Sequence, residues 1–522
     1  MKKTVVLLLV GTLFLSACQF SGQDIPDESG SGEQSVSSVV DEFAESDAPE
    51  YDAPELSETS LPLISIESIN VQRYTEDGET LLVEITRDNM TLAGDGYEAA
   101  ADAVKKQFYC TEEDLSRQAD DLAELAMDQY MAVKDQNAWF SPYGSSTSYE
   151  ITRLDTNVLS VKGNSYDYEG GAHGYGAEWG TTIDLKSGAE LALSQLAENT
   201  PRFMNKVLEV VLENLIGRQE EDELFDAYES YVEQHIEKTS WYLDAAGIVL
   251  VYTPYEIGPY SSGSIAVRVP YEDVAEYMKA EYLPAQENYI SRLPIDYEVT
   301  TKLSDGVCTI LWKMEYVGPY DDYETKITVN GGDSFVEPMV SVQHAYLMRR
   351  QDGRCFLIFD IDWASDDFET YVYELSADGA VQTADVWAAL DGKNIGMDGM
   401  RLRFSLDVLG TYISRMSYAL TEDGGLEPLE EIYTFTPNRE WQGLTTVKEL
   451  PVTVNGQQTM LPAGTSLFID ATDDAGTAWF TTDEESGAIS GEIHYERRED
   501  NYQLYINGIS EYEYFEMIPY TG

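Results

Sequence analysis

Apolar and polar positions alternate with a period of two over LPLISIESINVQRY (61–74) and TLLVEITRD (80–88). That period predicts two strands, each with one buried face. The period then lengthens. Leu115, Ala119, Leu122, Ala126 and Tyr130 recur at steps of three and four, one face of a helix. Thr111 three residues before Asp114 supplies a capping box for its start. Period two returns in TSYEITRLD and NVLSVKGNSYDY, which end near residue 168.

Residues 166–290 mix both periods. Thr200-Pro201 opens a helix with proline in the first turn, and the pattern predicts its end near Gly217. Phe203, Val207, Val210 and Val211 form its apolar face. A second helix carries Phe225, Tyr228, Val232 and Ile236, and a strand is expected over 247–274. From 295 to 440 the chain reads as antiparallel β. Asp-Gly pairs at 305–306, 352–353, 378–379 and 423–424 fall between β-rich runs such as VCTILWKMEYV and RCFLIFDID. Asp-Gly favours hairpin turns because glycine tolerates positive φ. Uneven spacing and a length short of four blades of ~40 residues argue against a propeller and for a sandwich or an open, curved sheet.

Composition and charge narrow the function. The 522 residues hold 95 Asp and Glu against 32 Lys and Arg, a net charge of −63. Phosphate backbones repel such a chain, so nucleic acid is excluded as a partner. Four His and four Cys exclude zinc-finger and cysteine-rich scaffolds, and the P-loop, dinucleotide and kinase patterns are missing. No cofactor and no metal centre are expected.

The first residues predict the location. Lys2 and Lys3 precede an apolar run over 4–17, too short for a ~30 Å hydrocarbon core and of signal-peptide length. Leu15-Ser16-Ala17-Cys18 resembles a bacterial lipobox, which implies a signal peptide over 1–17 and acylation of Cys18. The lipid bilayer is then a partner through Cys18, and two acyl chains suffice for stable anchoring. Loss of both lysines takes the charge from −63 to −65. Residues 18–60 are an acidic linker, with twelve carboxylates and no Lys or Arg over 19–60, too polar to fold.

YEGGAHG at 168–174 and PYEIGPYSSG at 254–263 carry a family resemblance. The matching residues are Tyr168, Gly170, Gly171, Ala172, His173 and Gly174, then Pro254, Tyr255, Glu256, Ile257, Pro259, Tyr260 and Gly263. In this order they resemble the RsiV-like extracytoplasmic domain family, the lysozyme-binding sensor domain of an anti-sigma factor. The resemblance covers 166–290 well and 61–165 as a general pattern. The same domain pair is similar to the N-terminal part of some peptidoglycan deacetylases, without a counterpart here of their catalytic domain. The family's cytoplasmic sigma-binding segment and membrane helix have no counterpart either, so an anti-sigma role is not expected. The fold class expected is α+β: an RsiV-like α/β sandwich-type domain over 61–165 and 166–290, then all-β domains at 295–440 and 444–522. The last resembles a small bacterial Src-homology 3 barrel through the LPAGT turn at 461–465.

Several residues are candidates for chemistry. His173 lies in a glycine-rich turn. A metal ligand would need partners at matching spacing, and none is present. A Ser261–His173–Glu256 relay has no nucleophile elbow behind it. The structural reading gives Gly170, Gly171 and Gly174 positive φ or close backbone approach. His173 then bonds the Glu256 carboxylate or a backbone carbonyl. Tyr252, Tyr255 and Tyr260, with Pro254 and Pro259, form either a recognition surface or the filling of a half-buried sheet. Cys308 and Cys355 lie in strand-like runs, so a disulfide and two buried thiols both remain open. The acidic runs at 362–369 and 470–474 lack EF-hand spacing. His235, His344 and His494 carry no assignment. Binding without catalysis is the expectation: a surface lipoprotein that senses a cell-wall component such as peptidoglycan, or a cationic protein such as lysozyme. The alternative is a cell-wall hydrolase or an accessory subunit of one.

Overall fold

The computed structural model describes residues 60–520, apart from 135–138, 221–222, 287, 317–322, 339, 364–366, 436–441, 484–487 and 499–500. The signal peptide, Cys18 and all but the last residue of the linker lie outside the described residues.

The N-terminal strands β1 (Leu63–Tyr74) and β2 (Leu81–Ala93) pair antiparallel. Helices α1 (Glu98–Phe108) and α2 (Glu112–Lys134) then cross over to β3 (Tyr143–Leu154), which joins β2 in parallel. Alternation explains the two layers. Ile64, Ile66, Met90 and Leu92 point to one face and meet Ala100, Val104 and Phe108 of α1. Val71, Val83 and Ile85 point to the other and meet Leu115, Ala119, Leu122 and Ala126 of α2. The Thr111 hydroxyl oxygen accepts from the Asp114 amide at 3.2 Å, capping α2 where the sequence places its start.

Next come β4 (Val158–Tyr168) and β5 (Tyr175–Asp184), a hairpin beside β3. Helix α3 (Thr200–Glu220) comes after them, running through Gly217 rather than ending there, and then α4 (Tyr228–His235). Strands β6 (Ser240–Leu243), β7 (Gly247–Tyr252) and β8 (Ile265–Pro270) make a three-stranded sheet. Phe203, Val207, Val210 and Val211 of α3 are buried against Leu250 and Val267 of this sheet. The single strand expected over 247–274 is a β7–β8 hairpin. Pro254 and Tyr255 interrupt it, because proline has no N–H to donate to the ladder and Tyr255 adopts φ +75°.

The short β9 (Tyr289–Arg292) joins the N-terminal sheet to the strands beyond residue 340, since it pairs both with β3 and with a strand fifty residues later. A four-stranded sheet holds β10 (Glu298–Lys302), β11 (Val307–Tyr316), β12 (Tyr323–Val329) and β13 (Gly332–Pro338). Strands β14 (Ser341–Arg349), β15 (Cys355–Asp362), β16 (Phe368–Ser376) and β17 (Gly379–Val386) extend the N-terminal sheet to ten strands. Thus 61–165, 166–290 and 295–440 share one sheet, and the segment from 295 is not a sheet apart. A second four-stranded sheet holds β18 (Ala389–Leu390), β19 (Met400–Asp407), β20 (Thr411–Leu420) and β21 (Leu426–Pro428). The result is three β layers. Leu347, Leu357 and Phe359 bury one face of the long sheet on Ile310, Ile327 and Phe335. Met348, Phe356 and Ile358 bury the other on Leu402, Met416 and Leu420. The Asp-Gly pairs at 305–306, 352–353, 378–379 and 423–424 lie at hairpin turns; at Gly353 and Gly424 φ is +84° and +85°, which only glycine adopts freely.

One cross-link spans nearly the whole fold. The Asn394 side chain accepts from Ile66 N at 2.7 Å and donates to Ile66 O at 3.1 Å, covering the edge strand β1. From 433 on, seven antiparallel strands within 433–494 form a sheet around Leu467, Ile469 and Phe480, and a three-stranded sheet over 496–510 packs into the same core through Leu504 and Ile506. The chain is therefore mostly β, α+β in its N-terminal half and all-β after it.

Candidate functional site

Two loops build the site. The first joins β4 to β5 and carries YEGGAHG. Gly170 and Gly171 hold φ of +89° and +92°. A Cβ on Gly170 would lie 2.6 Å from Gln129 Oε1, and one on Gly174 would lie 2.5 Å from Asp167 O. At Gly174 the loop thus packs against backbone closer than any side chain permits. Tyr168 donates to Gly171 O at 3.1 Å, and Tyr166 accepts from Gly174 N at 3.2 Å.

The second loop joins β7 to β8. The Glu256 carboxylate accepts from Thr253 N at 2.6 Å and from the Tyr231 hydroxyl at 2.9 Å. Burial, and then that carboxylate, push the Tyr231 phenol up to about 12. Glu256 is therefore a loop brace tied to α4. Pro259 leads into a helical turn at Tyr260–Ser262, and the Ser262 hydroxyl donates to Glu223 O at 2.9 Å.

The loops meet in an aromatic stack. The His173 ring lies 4.7 Å from the Tyr260 ring at an interplanar angle of 21°. Tyr255 stacks at 6.0 Å and 27°, and Tyr175 adds a tilted ring at 6.3 Å. Gly174 O locks the arrangement, accepting from Tyr260 Oη at 2.6 Å and lying 2.9 Å from His173 Nδ1. Tyr255 is 59% exposed, and His173 is exposed as well. A positive φ at a bulky, exposed tyrosine is a strained conformation. Tyr168, Gly170, Gly171, His173, Gly174, Tyr255, Glu256, Pro259 and Tyr260 are thus brought together. Among the described residues no hydrogen bond joins His173 to Glu256 or Ser261, so that relay is not assembled.

The other candidates fall elsewhere. Cys308 and Cys355 are buried thiols on β11 and β15, strands of facing sheets rather than neighbours in one sheet. Burial raises them to about 11 and about 12, so they stay protonated. Asp473 Oδ1 accepts from the amides of Ala475, Gly476 and Thr477, a turn device. Among the described residues no three His, Cys, Asp or Glu side chains are placed to hold a metal, and no helix is long and apolar enough to cross a membrane.

Sequence reading missed one polar cluster. His344 on β14 sits opposite Asp360 on β15. Asp360 is buried and accepts from His344 N at 2.7 Å, from Leu390 N at 3.0 Å, and from His344 Nδ1 at 3.3 Å. Asp360 lies two and four residues from core positions Ile358 and Phe356, a carboxylate at an apolar parity, which was the available signal. Burial works to lower the His344 pKa, but the Asp360 hydrogen bond and charge outweigh it and raise it. We expect His344 to titrate above the usual 6.5, with that rise lost in Asp360→Asn, as read from imidazole NMR. With a raised folded value the stabilisation is fully present below pH ~6.5 and is lost as pH climbs from there through that raised value. A His344 midpoint at or below 6.5 overturns this.

Comparison with known proteins gives partial matches. Residues 196–272 match the family described as a protein of unknown function (DUF3298), and residues 87–175 match one described as deacetylase PdaC. No curated protein matches the chain. A DUF3298 family structure from Bacteroides fragilis is 18% identical, with a TM-score of 0.33, covering 42% of this chain and 96% of its own. Another from Pseudomonas aeruginosa is 16% identical, with a TM-score of 0.29, covering 43% of this chain and 98% of its own.

Proposed function

We propose that this chain is a lipid-anchored extracytoplasmic binding protein of the RsiV-like kind, which captures a cationic protein such as lysozyme on the His173–Tyr260–Tyr255 stack. The observation that carries this reading is the convergence of the two motifs on one exposed, strained aromatic face. Tyrosines present large contact area at low entropy cost. A net charge of −63 steers basic partners toward the surface. The acylated Cys18 holds the protein at the membrane. Binding rather than catalysis fits a carboxylate already committed to Tyr231 and Thr253. Parallel exposed rings also suit the flat faces of sugars, so a cell-wall glycan is the second reading.

Binding of the full chain in detergent to lysozyme and to purified peptidoglycan separates these. Saturable lysozyme binding should persist at ~150 mM salt, where loose steering is screened. Tyr255→Ala and Tyr260→Ala should each weaken it at least about tenfold, as central aromatic anchors do. Binding only to peptidoglycan, with the same two variants weakened, selects the glycan. Binding untouched by either variant removes this face from the function.

A further inference from the structure

A second site lies in the cleft between the ten-stranded sheet and the β18–β21 sheet. It encloses about 530 Å³, within the usual range for small-ligand pockets. In a chain with three carboxylates per base, its walls collect Lys162, Arg292, Lys393, Arg403 and Arg415. Four of these are matched: Lys162 with Glu178 at 2.8 Å, Arg292 with Glu150 at 2.5 Å, Lys393 with Asp88 at 2.8 Å, and Arg415 with Asp391 at 3.5 Å. Arg403 differs. Its guanidinium lies over the Phe368 ring at 4.8 Å, and among the described residues no carboxylate is within ion-pair distance of it.

Arg403 is also tied to the His344–Asp360 pair. It pairs across the ladder with Ala389; the next residue, Leu390, donates its amide to Asp360, which holds His344. A Cβ on Gly392 would lie 2.8 Å from His344 Nε2, so glycine is needed where the loop passes that nitrogen. With Nδ1 turned to Asp360, Nε2 is the remaining bonding atom of the ring.

We propose that this cleft binds a short peptide by its terminal carboxylate, received by Arg403 with His344 beside it. A planar guanidinium fits a carboxylate with two parallel hydrogen bonds. Glu150, Asp360, Asp362 and Asp391 on the same walls disfavour a phosphate dianion more than a singly charged carboxylate, since both would face four carboxylates with one guanidinium unmatched among the described residues. Asn164 and Gln343 offer partners to the peptide's amide groups.

The test uses the full chain with two probes, acetyl-dialanine and its C-terminal amide, followed by calorimetry and imidazole NMR. The chain has only four histidines, so a His344→Gln variant assigns the signal. The free acid should bind saturably and move the His344 resonance, and the amide should bind at least tenfold more weakly. Arg403→Gln should erase that preference with an unchanged Tm, and Arg403→Lys should restore part of it. Equal binding of both probes, no binding up to on the order of 10 mM, or an acid preference that survives Arg403→Gln overturns the proposal. Tyr255→Ala should leave it intact, so this site and the aromatic face fail separately.

Discussion

Replacing Arg153 with methionine is expected to destabilise the fold by about 3–5 kcal/mol, the usual cost of removing one partner of a buried ion pair. Arg153 is fully buried on β3. Its Nε and Nη2 meet Asp155 Oδ2 at 2.9 and 2.7 Å. The remaining donors reach Tyr271 Oη at 2.9 Å and the carbonyls of Tyr282 and Leu283, both at 2.8 Å. Burial alone would lower its pKa, but Tyr271 and Asp155 raise it instead, so the charge persists. Methionine fills much of the volume yet leaves a buried carboxylate, the buried Tyr282 carbonyl and the part-buried Leu283 carbonyl without their donor. Asp155 Oδ1 still accepts from Asn157 N and Val158 N, which holds the turn but does not neutralise the charge. Urea unfolding measures the loss. Adding Asp155→Asn should recover part of it, and a single-variant cost under about 1 kcal/mol would mean that these bonds do not govern the contact.

Gly180→Ala is the second large effect, about 1–3 kcal/mol, because the added methyl meets backbone rather than a side chain that can turn away. On β5 its Cβ would lie 2.4 Å from Trp241 C, 2.5 Å from Trp241 O and 2.7 Å from Tyr242 N. Ser240 fixes that approach, accepting from Gly180 N at 2.7 Å and donating to Gly180 O at 3.0 Å. The methyl must therefore push β6 off β5. Strand β7 moves with β6, and the 253–263 loop moves with β7, so ligand binding should weaken along with Tm. Thermal unfolding monitored by circular dichroism reads the stability. An unchanged Tm would refute the seating of β6 on β5.

The legible parts of this fold are local. Asp-Gly turns mark hairpins because φ is set by two residues, and the face of α3 is set by a repeat within two helical turns. The glycine motif likewise announces close packing. Long-range pairing escapes such reading. Strand β9 is four residues long and gives too few positions for a period, yet it joins the two halves of the long sheet. Arg153 reads as an ordinary polar position of an alternating strand, since Asp155 is near in sequence but Tyr271, Tyr282 and Leu283, which complete its bonding, come from over a hundred residues later. His344 and Asp360 become a pair only once the β14–β15 register is known. The stack at His173 and Tyr260 was half visible: both loops could be named, but not the contact between them.

The Asn394 clasp on β1 sets the order in which the chain can finish. Ile66 and its partner are 328 positions apart. At ~5–20 residues per second, synthesis separates them by roughly 16–66 s. Until Asn394 emerges, β1 has an open edge able to recruit any passing strand. Contacts this distant make assembly slow. A chain that crossed a membrane whole before folding would escape that interval, because both ends of the clasp would then be present from the start.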